Sequence, residues 1–179
     1  FVKLKENNPH ITSMLDPSAG SGRFVDAFVS LFPNAEVTAI EIDYLTSMIL
    51  KAKYIGNEKV HIINSGFEEV DFKNKKFDIV ASNIPFGNFK VSYPAYENQV
   101  TDKIHNFFFY HGINLLNDGG LLMYITSSGV FNSPSNTFIR KKIFSLTHPN
   151  CLLSLPNNFF ENTEVASQLY IGQKTSSAS

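Results

Sequence analysis

The stretch that most narrows the folding options is residues 13–32. A short apolar segment, Ser13-Met14-Leu15, runs directly into Asp16-Pro17-Ser18-Ala19-Gly20-Ser21-Gly22-Arg23-Phe24. Apolar residues then recur at Phe24, Val25, Phe28, Val29 and Phe32 with the spacing of one helix face. Strand, glycine-rich turn and helix in that order predict an α/β unit whose loop lies at the carboxyl end of the strand, where open α/β sheets build their sites. Gly20 and Gly22 permit a tight turn and close approach of backbone to a ligand, and a helix starting at about residue 22 presents unpaired N–H groups. A phosphate-cradling loop needs Gly-Lys-Ser/Thr, which is missing, and a dinucleotide fingerprint needs a third glycine where Val25 stands. An acid followed by two glycines fits a cationic or neutral adenosyl ligand better than a pyrophosphate, because Asp16 repels phosphate and attracts an ammonium.

A second turn carries the other half of the chemistry. Phe77-Asp78-Ile79-Val80-Ala81 reads as a buried strand and ends in Asn83-Ile84-Pro85-Phe86. Pro85 fixes its own φ and pushes Ile84 toward an extended conformation, which leaves the Ile84 carbonyl outside any helix. The Asn83 side chain supplies a second acceptor, and Phe86 a ring that can stack on a flat heterocycle. Two acceptors beside a stacking face suit an exocyclic NH2 group. Asn, Pro and the following Gly87 are also ordinary turn residues, and taken alone the tetrapeptide reads equally as a plain turn.

The remaining periodicity predicts strands at 35–40, 60–63, 121–126, 151–155 and 167–173, and helices at 44–54, 102–116 and 135–146. Glu41, at the tip of the second strand, stands where such folds hold ribose hydroxyls; Asp43 reads as the N-cap of the next helix or as a ligand contact. Phe67, after the third strand, is a candidate cover for an adenine ring or a core residue, in a chain with 17 phenylalanines. Residues 156–166 form too short a link between the last two strands for a right-handed helical crossover, so the final pair is expected to be an antiparallel hairpin. A seven-stranded mixed sheet with one reversed strand follows.

Taken together, Asp-Pro-Ser-Ala-Gly-Ser-Gly-Arg-Phe at 16–24, Ala-Ile-Glu-Ile-Asp at 39–43, Ser-Gly-Phe-Glu at 65–68 and Phe-Asp-Ile-Val-Ala-Ser-Asn-Ile-Pro-Phe-Gly at 77–87 resemble, in order and spacing, the adenine-N6 DNA methyltransferases. The branch most like it is the helicase-linked methylases of bacterial mobile elements and phages. The resemblance runs from about residue 12 to 174, through Ile104-His105-Asn106-Phe107-Phe108-Phe109, Asp118-Gly119-Gly120-Leu121-Leu122, Ile125-Thr126-Ser127, Arg140 and Leu155-Pro156-Asn157-Asn158-Phe159-Phe160. It implies a Rossmann-like seven-stranded mixed sheet of the class I S-adenosylmethionine-dependent methyltransferase type, with the last strand antiparallel. It also implies that S-adenosylmethionine lies against Asp16, Pro17, Ser18, Ala19, Gly20, Gly22 and Phe24, with Glu41 and Ile42 at its ribose, Gly66 and Phe67 at its adenine, and Asn83 beside the transferred methyl. A target adenine, swung out of DNA because its amine is unreachable while stacked and paired, is then expected at Asn83, Ile84, Pro85 and Phe86. Lys90, Tyr93 and Tyr96 are the further candidates for substrate contact. The chain departs from the usual family pattern at Ile84, commonly Pro, at Phe86, commonly Tyr or Trp, and at Gly66, commonly an acid.

Composition agrees with a single compact domain: 43% hydrophobic and 17% charged residues are near the globular average. With the resemblance, residues 1–174 are expected to form the catalytic domain of a larger protein, whose other domains are its partners, and residues 175–179 a polar tail. No apolar run is long enough to span a membrane and no signal peptide opens the sequence, so a cytoplasmic protein with no membrane partner is expected. The five histidines show no metal-ligand spacing, and no metal is predicted. Cys151, in an apolar strand, reads as a buried structural thiol. A net charge of −1 argues against stand-alone DNA binding; Lys73, Lys75 and Lys76, and Arg140, Lys141 and Lys142, read as solvated faces or as phosphate footprints. Residues 88–102 form a connection long enough to be a flap over the target base or a disordered surface loop. Methylation of RNA or of a protein glutamine amide, and a cofactor-binding module inactive without further segments, remain as alternatives.

Overall fold

The computed structural model describes residues 1–8, 10–156 and 166–176. Residues 157–160 of the family resemblance, and 177–179 of the expected tail, lie outside the described residues. The elements in chain order are α1 (Val2–Asn7), β1 (Ser13–Asp16), α2 (Arg23–Leu31), β2 (Glu36–Glu41), α3 (Tyr44–Lys53), β3 (Val60–Asn64), β4 (Phe77–Asn83), α4 (Asn98–Thr101), α5 (Ile104–Asn114), β5 (Leu116–Ser127), α6 (Gly129–Asn132), α7 (Thr137–Leu146), β6 (Thr147–Ser154) and β7 (Ser167–Lys174). Single 3-10 turns at Phe67–Glu69 and Pro134–Asn136 complete the set.

The seven strands form one sheet in the order β3-β2-β1-β4-β5-β7-β6. β1 pairs in parallel with β2 on one side and β4 on the other, whereas β7 runs antiparallel to both β5 and β6. The mixed sheet and its reversed last strand are as expected. Side chains alternate between two cores because successive residues of a strand face opposite ways. Leu15, Ile40, Val80, Leu122 and Tyr124 pack beneath α5 and α7, and Met14, Val37, Ala39, Ile79, Ala81 and Met123 pack beneath α2 and α3. A sheet buried on both faces accounts for the continuous apolar run in β4, which helical coverage demands.

Strand order reverses between β1 and β4. From β1 the chain winds outward to β2 and β3, then returns to place β4 on the other side of β1. The loops at the carboxyl ends of β1 and β4 therefore diverge to opposite faces and leave a crevice, the position at which ligands bind in open α/β sheets.

The short helices α1, α4 and α6 are not expected from the sequence, and two strands start earlier than expected. β5 begins five residues early, at Leu116, because Leu116 pairs in parallel with Phe77 at the start of β4; the Lys174 and Gln173 side chains of β7 further bond the Leu116 and Gly119 carbonyls. β6 begins at Thr147 rather than 151, since Thr147, His148 and Pro149 pair with Lys174, Gln173 and Gly172 of β7, and the Thr147 hydroxyl lies 2.7 Å from the buried Tyr170 hydroxyl. Cys151 is half-buried on this edge strand rather than enclosed, because no further strand among the described residues pairs with the outer side of β6.

Candidate active site

The first wall of the crevice is the loop after β1. Asp16 is 1% exposed; its Oδ1 accepts hydrogen bonds from the Ser18 N–H (3.1 Å) and the Ser82 hydroxyl (2.6 Å). Its Oδ2 is buried with no partner among the described residues. Burial pushes the Asp16 carboxyl up to about 7, against the lowering effect of those two bonds. A bare, buried carboxylate oxygen at the mouth of a glycine loop is a receptor for a cationic donor, which would restore the charged form.

Ser82 is the residue that joins the two halves. It is fully buried at the end of β4, and besides Asp16 it donates to the Ser18 carbonyl at 3.2 Å. The glycine loop is tied on its other side to β2: Ala19 N–H donates to the Ile40 carbonyl, and Gly20 N–H to Glu41 Oε2, both at 2.8 Å. Glu41 Oε1 accepts from the Asp43 N–H at 2.8 Å, so this 8% exposed carboxylate holds the loop and the β2 tip together and keeps further lone pairs for a ligand. The Asp43 side chain accepts from the Thr46 N–H at 2.8 Å, the N-cap arrangement. Gly22 takes φ +82°, and a Cβ there would lie 2.7 Å from the Leu50 side chain; Gly20, at φ +52°, faces open space. One glycine is required by packing, and the other leaves a concavity that a side chain would fill.

The second wall is the tetrapeptide. Asn83 ends β4 with an exposed side chain that has no hydrogen-bond partner among the described residues. Ile84 N–H donates to the Ile125 carbonyl at 3.0 Å, while its own side chain is buried in the core, 5% exposed. This anchoring turns the peptide outward. Phe86 is 43% exposed and lies 4.4 Å, nearly parallel, from the buried ring of His105.

Other candidates are placed less directly. Ile42 is exposed beside Glu41, Pro17 is buried beneath the loop, and Phe24 packs edge-on against Phe1. Gly66 N–H faces Glu69 Oε2 at 3.4 Å, and Phe67 turns inward, 2% exposed, among Phe72, Phe107, Phe108 and His111. Tyr93 and Tyr96 are not brought to the tetrapeptide. They pack down α5 against Phe107, Tyr110 and His111, and the Tyr96 hydroxyl lies 2.7 Å from His111 Nδ1. Residues 88–102 are thus a strap along α5, stitched by Val91 N–H to the Thr101 carbonyl, with Lys90 exposed at its start. Arg140 donates to the Val130 and Ser133 carbonyls, Lys142 pairs with Glu97, and Lys76 donates to the Asn114 carbonyl, so these cations are engaged within the fold. Among the described residues no helix is long and apolar enough to cross a membrane, and no cluster of three His, Cys, Asp or Glu side chains is formed.

Sequence reasoning missed Ser82, His105, Gly129 and Asn136. Ser82 carried a signal, since it is a polar residue directly after the apolar run Ile79-Val80-Ala81 and directly before Asn83; the other three are brought together only by packing.

A seven-stranded sheet of this order, with its glycine loop after β1 and its crevice between β1 and β4, is the fold of the class I S-adenosylmethionine-dependent methyltransferases. A Listeria monocytogenes protein described as a member of that class superposes with a TM-score of 0.81 at 17% identity, over 97% of this chain and 57% of that one. The sequence model of the Eco57I restriction-modification methylases matches residues 23–160, and the chain belongs to that family. Among curated relatives it is 31% identical over 150 residues to the modification methylase CviBIII of Paramecium bursaria Chlorella virus NC1A, covering 82% of this chain and 38% of the relative. It is also 32% identical over 143 residues to the release factor glutamine methyltransferase of Aliivibrio fischeri, covering 68% of this chain and 48% of the relative. The chain thus spans less than half the length of these two relatives. S-adenosylmethionine is the cofactor of the class, and the orphaned Asp16 oxygen and the open concavity at Gly20 fit its ammonium-bearing end.

Proposed function

We propose that residues 1–174 form the catalytic domain of an enzyme that methylates the exocyclic N6 amine of adenine in DNA. The observation that carries this reading is a pair of acceptors without a hydrogen-bond partner among the described residues, the Asn83 amide oxygen and the Ile84 carbonyl, on a turn bonded through Ser82 to the carboxylate of the glycine loop. Asp16, the 17–22 loop and Phe24 hold the amino-acid end of S-adenosylmethionine, Glu41 and Ile42 its ribose, and Gly66 with the adjoining Phe67 turn its adenine. When bound, that cofactor supplies a methyl group on a sulfonium, whose departure as a neutral thioether drives the exchange.

The chain's own residues do the rest by positioning and electrostatics. Asn83 Oδ1 and the Ile84 carbonyl accept the two amine hydrogens, which draws electron density onto nitrogen and aims its lone pair along the crevice. Pro85 keeps the Ile84 carbonyl in extended geometry, and Phe86 stacks on the base. Transfer leaves an extra proton on the amine, which Asn83 Oδ1 holds until it passes to solvent. DNA with the target adenine flipped out, and the other domains of the parent protein, are the partners in this reading, and the setting is cytoplasmic. No metal enters the scheme.

The test is transfer from labelled S-adenosylmethionine to DNA lacking adenine methylation, with N6-methyladenine identified by mass spectrometry. Asn83→Ala is expected to lower the rate by about 10²–10³-fold, the loss typical of one preorganised polar partner, with cofactor affinity within about twofold of wild type. Equal loss of both would remove Asn83 from the acceptor site. The match to a glutamine methyltransferase supports a second reading, since a glutamine side chain presents the same planar NH2. Label appearing in a glutamine-bearing peptide or in RNA, and not in DNA, would transfer the proposal to that substrate. Cofactor binding without transfer to any of the three would make this chain a binding module that needs further segments.

A further inference from the structure

We infer that His105, Asn136 and Gly129 form a cradle that fixes the Phe86 ring as a preset stacking surface for the acceptor base, with His105 a positioning residue of the transfer reaction. The inference rests on the proposed role of Phe86. An aromatic ring 43% open to solvent at the tip of a turn ordinarily samples several rotamers, and restricting it when the base arrives costs entropy. Here the restriction is built in. His105, 1% exposed on the first turn of α5, covers one face of Phe86 at a centroid distance of 4.4 Å and an interplanar angle of 18°. At the ring's edge stands Gly129, where a Cβ would lie 3.3 Å from Phe86 Cζ. The surface of Phe86 left open is then the side away from His105.

The hydrogen bonds behind the stack fix the imidazole in one state. Asn136 Nδ2 donates to the Gly129 carbonyl at 2.9 Å, so Asn136 Oδ1 is the atom facing Lys103 Nζ (3.1 Å) and His105 Nε2 (2.9 Å). An ammonium only donates, so Oδ1 is an acceptor and His105 Nε2 carries the hydrogen. Nδ1 is then left to accept the Gly87 N–H, at 3.4 Å. One imidazole thereby holds both the ring of residue 86 and the backbone of residue 87. Burial, and the neighbouring Lys103 charge, keep this histidine below its ordinary value and so neutral, whereas an imidazolium would set an N–H against the Gly87 N–H. Asn136, itself 3% exposed, links this unit to α6, so the stacking face is set by three elements distant in sequence.

A double-mutant cycle with an independent spectroscopic arm tests the cradle. With the 179-residue chain, DNA lacking adenine methylation and saturating labelled S-adenosylmethionine, His105→Leu and Phe86→Ala are each expected to lower turnover about 30-fold, with cofactor affinity within twofold of wild type. If His105 acts through Phe86, the double variant is no slower than Phe86→Ala alone, whereas additive losses would overturn the inference. His105→Phe, which keeps the ring and loses both hydrogen bonds, is expected to recover part of the loss, and no recovery over Leu would count against the stack. In the 15N spectrum of the wild-type chain His105 should be neutral with the hydrogen on Nε2, and its ring protons should lose their upfield displacement in Phe86→Ala. A hydrogen on Nδ1, or unchanged ring shifts, would sink the cradle whatever the activity. If the wild-type chain methylates no DNA, the functional reading fails first and the cradle is decided by the spectra.

Discussion

Asp16 concentrates the tension of this site in one residue. Its carboxyl is buried with one oxygen bonded twice and the other bare, and it holds its proton up to about pH 7 in the folded chain, against an ordinary value of 3.8. The raised value means that the folded state binds the proton more tightly than the unfolded one. Stability from this group is therefore whole below about pH 4, declines as pH rises and is lost above about 7, a span of about 4 kcal/mol at 1.36 kcal/mol per unit. Asp16→Asn, which keeps the Oδ1 contacts and cannot ionise, should raise the thermal midpoint of the cofactor-free chain at pH 8 and raise it less at pH 5. The same variant should lose cofactor affinity. For the wild type, binding below pH 7 must expel a proton, so titration calorimetry should find affinity falling by up to about tenfold over the first unit below 7, with proton release in the same interval. An affinity flat from pH 6 to 8 would take Asp16 out of contact with the cofactor's charge.

Among the elements, the join of β1, its loop and α2 decides the shape of the site. Gly22 caps α2 with φ +82° and sits against Leu50 of α3, so alanine there meets both backbone strain and a 2.7 Å contact. Gly22→Ala should destabilise the chain by about 1–3 kcal/mol, the cost of a left-handed non-glycine residue plus local crowding. Gly20→Ala meets strain alone, and should lose cofactor affinity more than stability because its Cβ enters the concavity. Chemical denaturation of the two variants beside cofactor titrations separates these effects; equal stability losses would refute the distinction. This join was legible in the sequence, since glycine positions, an acid and helical spacing are local signals. The strap at 88–102 was not legible in the same way. Its aromatic residues suggest a flap, and only the facing surface of α5, where Phe107, Tyr110 and His111 pack against them, decides that Tyr93 and Tyr96 lie along the helix.

Across the whole molecule, charge limits what this chain can do alone. Its net charge is −1, and seven of its 15 Lys and Arg, namely Lys53, Lys59, Lys76, Lys103, Arg140, Lys142 and Lys174, are engaged with acids or carbonyls of the fold. The other eight stand in a chain with 16 Asp and Glu, and each phosphate contact they could make contributes about −0.9 to the slope of log affinity against log salt. Duplex DNA binding by residues 1–179, followed by fluorescence anisotropy, should weaken less than about 100-fold between 50 and 200 mM salt, as for about three contacts. A steeper dependence would mean that the exposed lysines, Lys90 among them, form a genuine footprint.

The sequence by itself determined where each strand and the four longer helices lie, to within a few residues for most, and which chemical groups stand at the strand tips: Asp16, Glu41 and Asn83. Hydrophobic period and turn chemistry act over a handful of neighbours, and a linear string records them. Tertiary structure alone decided that β1 and β4 are adjacent, so that Ser82 meets Asp16 across 66 positions of chain, and that His105 and Asn136 converge behind Phe86. It also tied Arg140 to backbone carbonyls and Lys142 to Glu97, and left Cys151 on the edge strand of the described sheet. Contacts between distant segments follow from which apolar faces must be buried together, and that is a property of the packed whole rather than of any stretch within it.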